Sequence, residues 1–145
     1  MKRRDFLRAT GLALPVAWGL GSEARAQLAG GIDELTRELG FALELPVNKA
    51  VAVTGALLHI AREKLLRLEF AEITKFLPGA ERLIFQAANV VNGALPKTME
   101  GMSPILEKIA LAPEVGDDCR AFIVQYLREK GGRKVVALLQ KAWRV

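Results

Sequence analysis

From Ala50 to Leu66 the chain is apolar at most positions, and Val53, Leu57, Leu58, Ala61 and Leu65 recur at helical spacing. Val51, Ala52, Ala56 and Ile60 cover the other sides of the first half. A helix apolar almost all round belongs inside a fold. The pattern therefore predicts a central helix that starts near Asn48, a good N-cap residue, and on which the other helices pack.

Further stretches repeat the period. Ile32, Leu35 and Leu39 mark a short amphipathic helix, with Asp33 and Glu34 in its first turn and Gly40 as its stop. Leu68, Ile73, Phe76 and Leu77 mark another, broken by Pro78-Gly79; the next turns Leu83, Ile84 and Ala87 inward. Asn92-Gly93 and Pro96 are turn signals, so residues 90–102 read as a connection with room for one helical turn. Ser103-Pro104 suits the N-cap and first position of a short helix carrying Ile105, Leu106 and Ile109. Ala112-Pro113 opens a longer one whose face is Val115, Cys119, Phe122, Ile123, Tyr126 and Leu127, ended by Gly131-Gly132. The closing helix aligns Val135, Val136, Leu138, Leu139, Ala142 and Trp143 in one stripe. No strand alternation and no internal repeat interrupts this. The expected fold is all-α, a single compact bundle of six to seven short helices.

The first 26 residues follow a different logic. Arg3-Arg4-Asp5-Phe6-Leu7-Arg8 resembles the twin-arginine export signature S/T-R-R-x-F-L-K, with Lys2 in place of Ser or Thr and Arg8 in place of Lys. A moderately apolar stretch from Thr10 to Leu20 follows, too short for a comfortable membrane span. Ala24-Arg25-Ala26 fits a small-residue cleavage site. Three segments result: an export signal at 1–26, a flexible lead with a short helix at 27–47, and a helical domain at 48–145. An ordinary secretory signal that happens to contain Arg-Arg is the alternative. Gln27 rather than Cys follows the site, which speaks against a lipid anchor.

The signal also explains the charge. The formal net charge is +5, but five of the 21 basic and two of the 16 acidic residues lie in residues 1–26. The remainder carries 16 basic against 14 acidic side chains, which leaves no electrostatic footprint for nucleic acid. A 51% apolar content is ample for a core. Cys119 is the only cysteine and His59 the only histidine, so no intrachain disulfide forms and no zinc or haem ligand set is expected.

The order of motifs has a family resemblance. Asn48-Lys49-Ala50, Gly55-Ala56-Leu57-Leu58, Ala61-Arg62-Glu63-Lys64-Leu65, Glu69-Phe70 and Leu77-Pro78-Gly79-Ala80 resemble the bacterial VcgC/VcgE-type proteins of unknown function. Leu111-Ala112-Pro113-Glu114-Val115 is similar to that family's Leu-Ser-Pro-Glu-Met/Val helix start, with Ala112 in place of Ser. Tyr126-Leu127-Arg128-Glu129-Lys130-Gly131-Gly132 and Val135 to Leu139 resemble its closing helix pair. The match runs from Pro46 to Trp143. It implies a small exported helical domain, commonly periplasmic, and supplies no catalytic residue to carry over.

The chemistry-bearing residues read mostly as structure. His59 has Glu63 one turn on, the spacing of a base and its orienting carboxylate; its angular position beside Arg62 predicts a solvated surface histidine. Cys119 sits among apolar neighbours and is expected in the core, with a redox thiol or a link to a partner as the alternative. Asp117-Asp118, Glu63, Glu69, Glu72 and Glu81 supply carboxylates for a hydrolase, although several fall where acids favour a helix start. Gly131-Gly132-Arg133-Lys134 lacks the strand and spacing of a phosphate loop. No catalytic, cofactor or metal-binding residue is assigned. The leading expectation is a non-enzymatic periplasmic interaction or accessory module, delivered by the twin-arginine machinery to meet a protein partner. It would bind no nucleic acid and keep no stable membrane span after cleavage. A carrier of a small apolar or lipid-like ligand and a carboxylate hydrolase are the alternatives.

Overall fold

The computed structural model describes the backbone of residues 20–144 and the side chains of residues 31–144. Among the described residues seven α-helices succeed one another: α1 (Leu20–Leu43), α2 (Val47–Lys64), α3 (Arg67–Phe76), α4 (Ala80–Val91), α5 (Met102–Lys108), α6 (Glu114–Glu129) and α7 (Arg133–Trp143). A single 3-10 turn, Met99–Gly101, runs into α5, and no strand occurs among the described residues. The all-α bundle is the observed fold class. The chain divides into two units at Gly31/Ile32, and the helix bundle with its core is the second.

Helix α2 is the hub. Both sides of its middle are buried, from Val53 to Leu58 without a break, and it packs on α3, α4, α6 and α7. Asn48 does not cap it. The helix begins a residue earlier on Pro46, whose carbonyl accepts the Lys49 and Ala50 N–H groups at 3.0 Å each, while Asn48 is exposed. No side chain caps the helix. Helix α4 runs antiparallel to α2: Gly55 faces Leu83 and Ala87, and Arg62 faces Glu81 one to two turns away.

Ile32, Leu35 and Leu39 of α1 are completely buried. At roughly 1.5–3 kcal/mol for each fully buried side chain, the part of α1 from Ile32 on belongs to the core. These residues open the second of the two units. Gly40 is not a stop. The helix runs on to Leu43 and closes with Leu45 N–H to Gly40 O at 2.8 Å and Glu44 N–H to Phe41 O at 3.4 Å. A Cβ on Gly40 would lie 3.1 Å from the Leu45 carbonyl oxygen and 3.5 Å from Ala50, so this glycine serves close approach at the corner. The chain turns through 117° there.

The same two-bond closure ends α4, α5 and α6, with Asn92, Ala110 and Gly131 at the left-handed position that Glu44 takes in α1. Only one of the four is glycine. Ala110, at φ 62°, bears the Cβ cost of that conformation. Ala110→Gly is expected to raise stability by about 0.5–1 kcal/mol, measured as a higher urea midpoint at unchanged slope.

Two predicted registers differ. In α3, Leu68 is 79% exposed, and Phe70 and Ile73 are buried instead. Phe70, Ile73 and Leu77 stand at i, i+3 and i+7, which is a helical face; Leu68 and Ile73, five apart, are not. Glu69 secures this start by accepting the Leu66 N–H at 2.9 Å. Helix α5 starts at Met102, before Ser103-Pro104, because the 3-10 turn leads into it and Met102 is buried. The stripe of α7 is as expected, apart from a half-buried Leu138. Among the described residues no single helix is long and apolar enough to cross a membrane.

Candidate functional site

Helix α4 ends at Asn92-Gly93, and the chain then returns across α2 with Leu95 turned into the core. This return covers His59. Its Nδ1 lies 2.8 Å from the Pro96 carbonyl oxygen and its Nε2 3.8 Å from Glu63 Oε2, and the side chain is only 12% exposed. A carbonyl accepts and cannot donate, so Nδ1 carries the hydrogen. His59 is thus no solvated surface histidine. The group that covers it comes from 37 residues away, beyond the reach of helical periodicity.

Beside His59 an open groove of about 240 Å³ lies between α2, α4 and this return, lined among others by Arg62, Glu81, Ile84, Phe85 and Leu95. Arg62 donates to Glu81 at its rim. Both are well exposed, so the pair adds little stability. Phe85 is 68% exposed against this wall. The lining offers an aromatic face, an ion pair and an imidazole. It contains no hydroxyl or thiol for His59 to activate.

The other carboxylates are drawn to cations and not to one another. Glu69 accepts from Lys141 Nζ at 2.8 Å, and that bond, with the Leu66 N–H, holds its carboxyl below the usual range. Glu72 lies 3.6 Å from both Lys75 and Lys134, and Asp117 pairs with Arg120. These links tie α3 to α7 and brace α6. They do not form a facing acid pair. Among the described residues no group of three His, Cys, Asp or Glu could hold a metal ion. A larger open groove of about 410 Å³ lies on α6 and α7, lined by Ala121 and Val124 as well as by Asp117, Arg120, Gln125 and Gln140. Arg3, Arg4, Phe6 and Leu7 lie outside the described residues, while Ala24 and Ala26 fall in the first turns of α1.

The family described as protein of unknown function VcgC/VcgE (DUF2780) matches residues 20–144. The chain belongs to this family. Its match takes in all of α1, including the helix that the resemblance from Pro46 onward left out. No curated protein and no solved structure matches.

For this VcgC/VcgE member, Cys119 is a core residue. Its side chain is fully buried, and burial, with the Asp118 charge beside it, pushes the thiol up to about 12 from an ordinary 9.0. Thiolate is the reactive form, so a thiol reagent should label native protein far more slowly than unfolded protein. Fast stoichiometric labelling would contradict this burial. Below about pH 9 the thiol is protonated in both states and its contribution is intact. Above that the unfolded chain loses the proton first, and stability falls by up to about 1.4 kcal/mol per pH unit until the folded thiol titrates. Cys119→Ala should remove that part of the alkaline slope in denaturant titrations.

A further polar contact was not legible in the sequence. Tyr126 Oη donates to Glu34 Oε1 at 2.6 Å, and Lys130 Nζ lies 5.4 Å from the ring centroid and 3.9 Å from Glu34. Burial raises the phenol's pKa, and the bond to Glu34 raises it further. The periodicity placed Tyr126 on the inner face of α6 and Glu34 at the start of an amphipathic helix. Nothing local pairs residues 92 apart.

Proposed function

We propose that the chain is exported by the twin-arginine route and acts in the periplasm as a non-enzymatic interaction module, docking a protein partner over the groove between α2 and α4. The observation that carries this reading is Phe85, an aromatic side chain left 68% exposed on a helix that buries Leu83, Ile84 and Ala87. Exposed aromatics beside polar rims are the usual anchors of protein interfaces. The open, polar-rimmed grooves favour a docked surface over an enclosed apolar ligand.

A photocrosslinking residue at position 85 tests the docking in living cells. Adducts should form there and not at exposed Glu107, and Phe85→Ser should abolish partner binding while shifting stability by no more than about 0.5 kcal/mol. Equal adducts at both positions would sink the assignment. For export, Arg3→Lys with Arg4→Lys should leave the precursor in the cytoplasm. Normal delivery of that variant would refute the twin-arginine route.

A further inference from the structure

Helix α6 turns its two sides to different uses. Cys119, Ile123 and Leu127 are buried in the core. On the outer side Arg120, Ala121, Val124 and Arg128 line the groove of about 410 Å³, with Gln140 supplied by α7. Arg120 and Arg128 stand a little over two turns apart on one helical stripe, roughly 12 Å along the axis. Val124 lies halfway between them and is buried at the floor, with Ala121 beside it. The order along the groove is cation, apolar floor, cation.

These cations outnumber the acids around them. Asp117 is the sole acid among the lining residues, and α7 carries none. Glu129, at the end of α6, takes the Gln125 amide N–H at 2.9 Å. Arg120 donates from Nη2 to Asp117, but its Nε–H is shielded from water and meets no acceptor among the described residues. A buried donor without a partner is costly, and a guanidinium has further N–H groups to place. Arg128 is exposed. The groove is electropositive, with an apolar middle.

A furrow between two packed helices accepts a third by the ridge-into-groove rule that seats α7 on α6. Such recognition reads the side chains along one stripe of the incoming helix. The complement of two cations flanking an apolar floor at this spacing is acid, apolar residue, acid at successive four-residue steps. Nucleic acid is the poorer match: its affinity comes from many phosphate contacts, and the apolar floor offers a phosphate backbone nothing. We propose that the α6–α7 groove receives an acidic amphipathic helix of a partner protein, with carboxylates on Arg120 and Arg128 and an apolar side chain between them on Ala121 and Val124. This surface shares no lining residue with the groove beside Phe85, so each stands or falls alone.

Titration of the full chain with a synthetic peptide tests this. The peptide carries Glu, Leu and Glu at four-residue steps in an alanine-glutamine background, at a length of about 18 residues that supports an isolated helix. Binding should shift the backbone amide resonances of Ala121, Val124 and Gln140 and weaken as salt rises. Arg128→Glu, a surface change that leaves the fold intact, should lower affinity roughly tenfold or more. A peptide with Lys in place of one Glu should recover most of that loss. Lys75→Glu on α3 changes the net charge equally and should alter affinity less than about twofold. No binding by the unsubstituted chain at about 1 mM peptide, equal losses in the two variants, no recovery by the charge exchange, or resonance shifts confined elsewhere would each overturn the proposal. So would tighter binding of a DNA duplex with the same dependence on Arg128, or a dimer of the chain itself that Arg128→Glu dissolves.

Discussion

Trp143→Ala is expected to lower stability by about 3–5 kcal/mol, the range for emptying a buried aromatic site. Trp143 is 2% exposed at the end of α7, and its indole Nε1–H donates to the Leu57 carbonyl at 3.0 Å, in the middle of the hub. The bond fastens the last turn of the chain to its centre. Most of the loss is packing, because the Leu57 carbonyl keeps its own helical partner. Trp143→Phe, which retains most of the volume, should cost nearer the roughly 1 kcal/mol of one buried hydrogen bond. A domain of this kind has only about 5–15 kcal/mol in all, so the alanine variant should melt near working temperatures. The measurement is urea unfolding of a chain from Gln27 onward, followed by its helix signal because both variants lack tryptophan; in the unsubstituted chain of that length Trp143 is the sole tryptophan. Emission should start blue-shifted and move red in one step with loss of helix signal. Solvent-like emission from folded protein would mean that α7 is undocked.

Gly55→Val should be comparably severe, at about 3 kcal/mol or more. A Cβ at Gly55 would lie 2.3 Å from the Ala87 Cβ and 2.9 Å from the Leu83 carbonyl oxygen. The second obstacle is backbone, so α2 and α4 would have to separate along their length. Overpacking a tight contact ordinarily costs 1–3 kcal/mol, and a backbone clash adds to it. Gly55→Ala gains about 1 kcal/mol of helix propensity against the same clash and should still be destabilised, by about 1–2 kcal/mol. Adding Ala87→Gly removes the first obstacle, so the double variant should recover part of the loss. Simple additivity in that double-mutant cycle would show that the two residues do not meet.

Much of this architecture was legible because helical burial is periodic and local. The hub from Ala50, the inward faces of α4, α6 and α7, the break at Pro78-Gly79 and the stop at Gly131-Gly132 are all written in runs of neighbouring residues. Cys119 followed from the same rule. Short elements were less legible. Ten residues of α3 hold too few turns to choose between the face with Leu68 and the face with Phe70, and packing chose the second.

Three matters were decided only in the folded molecule. Helix ends went to Glu44 and Ala110, residues with no left-handed preference, because tertiary contacts on either side outweigh the modest Cβ cost. Gly55, by propensity a weak point in the best helix of the chain, proved to be where two helices touch. His59, read as a surface histidine, and Glu34, read as a first-turn acid, were claimed by Pro96 and Tyr126 from distant parts of the chain. A sequence states which side of a helix prefers to leave water. Which partner arrives to cover a polar group on that helix depends on how the other helices stack, and no local pattern encodes it.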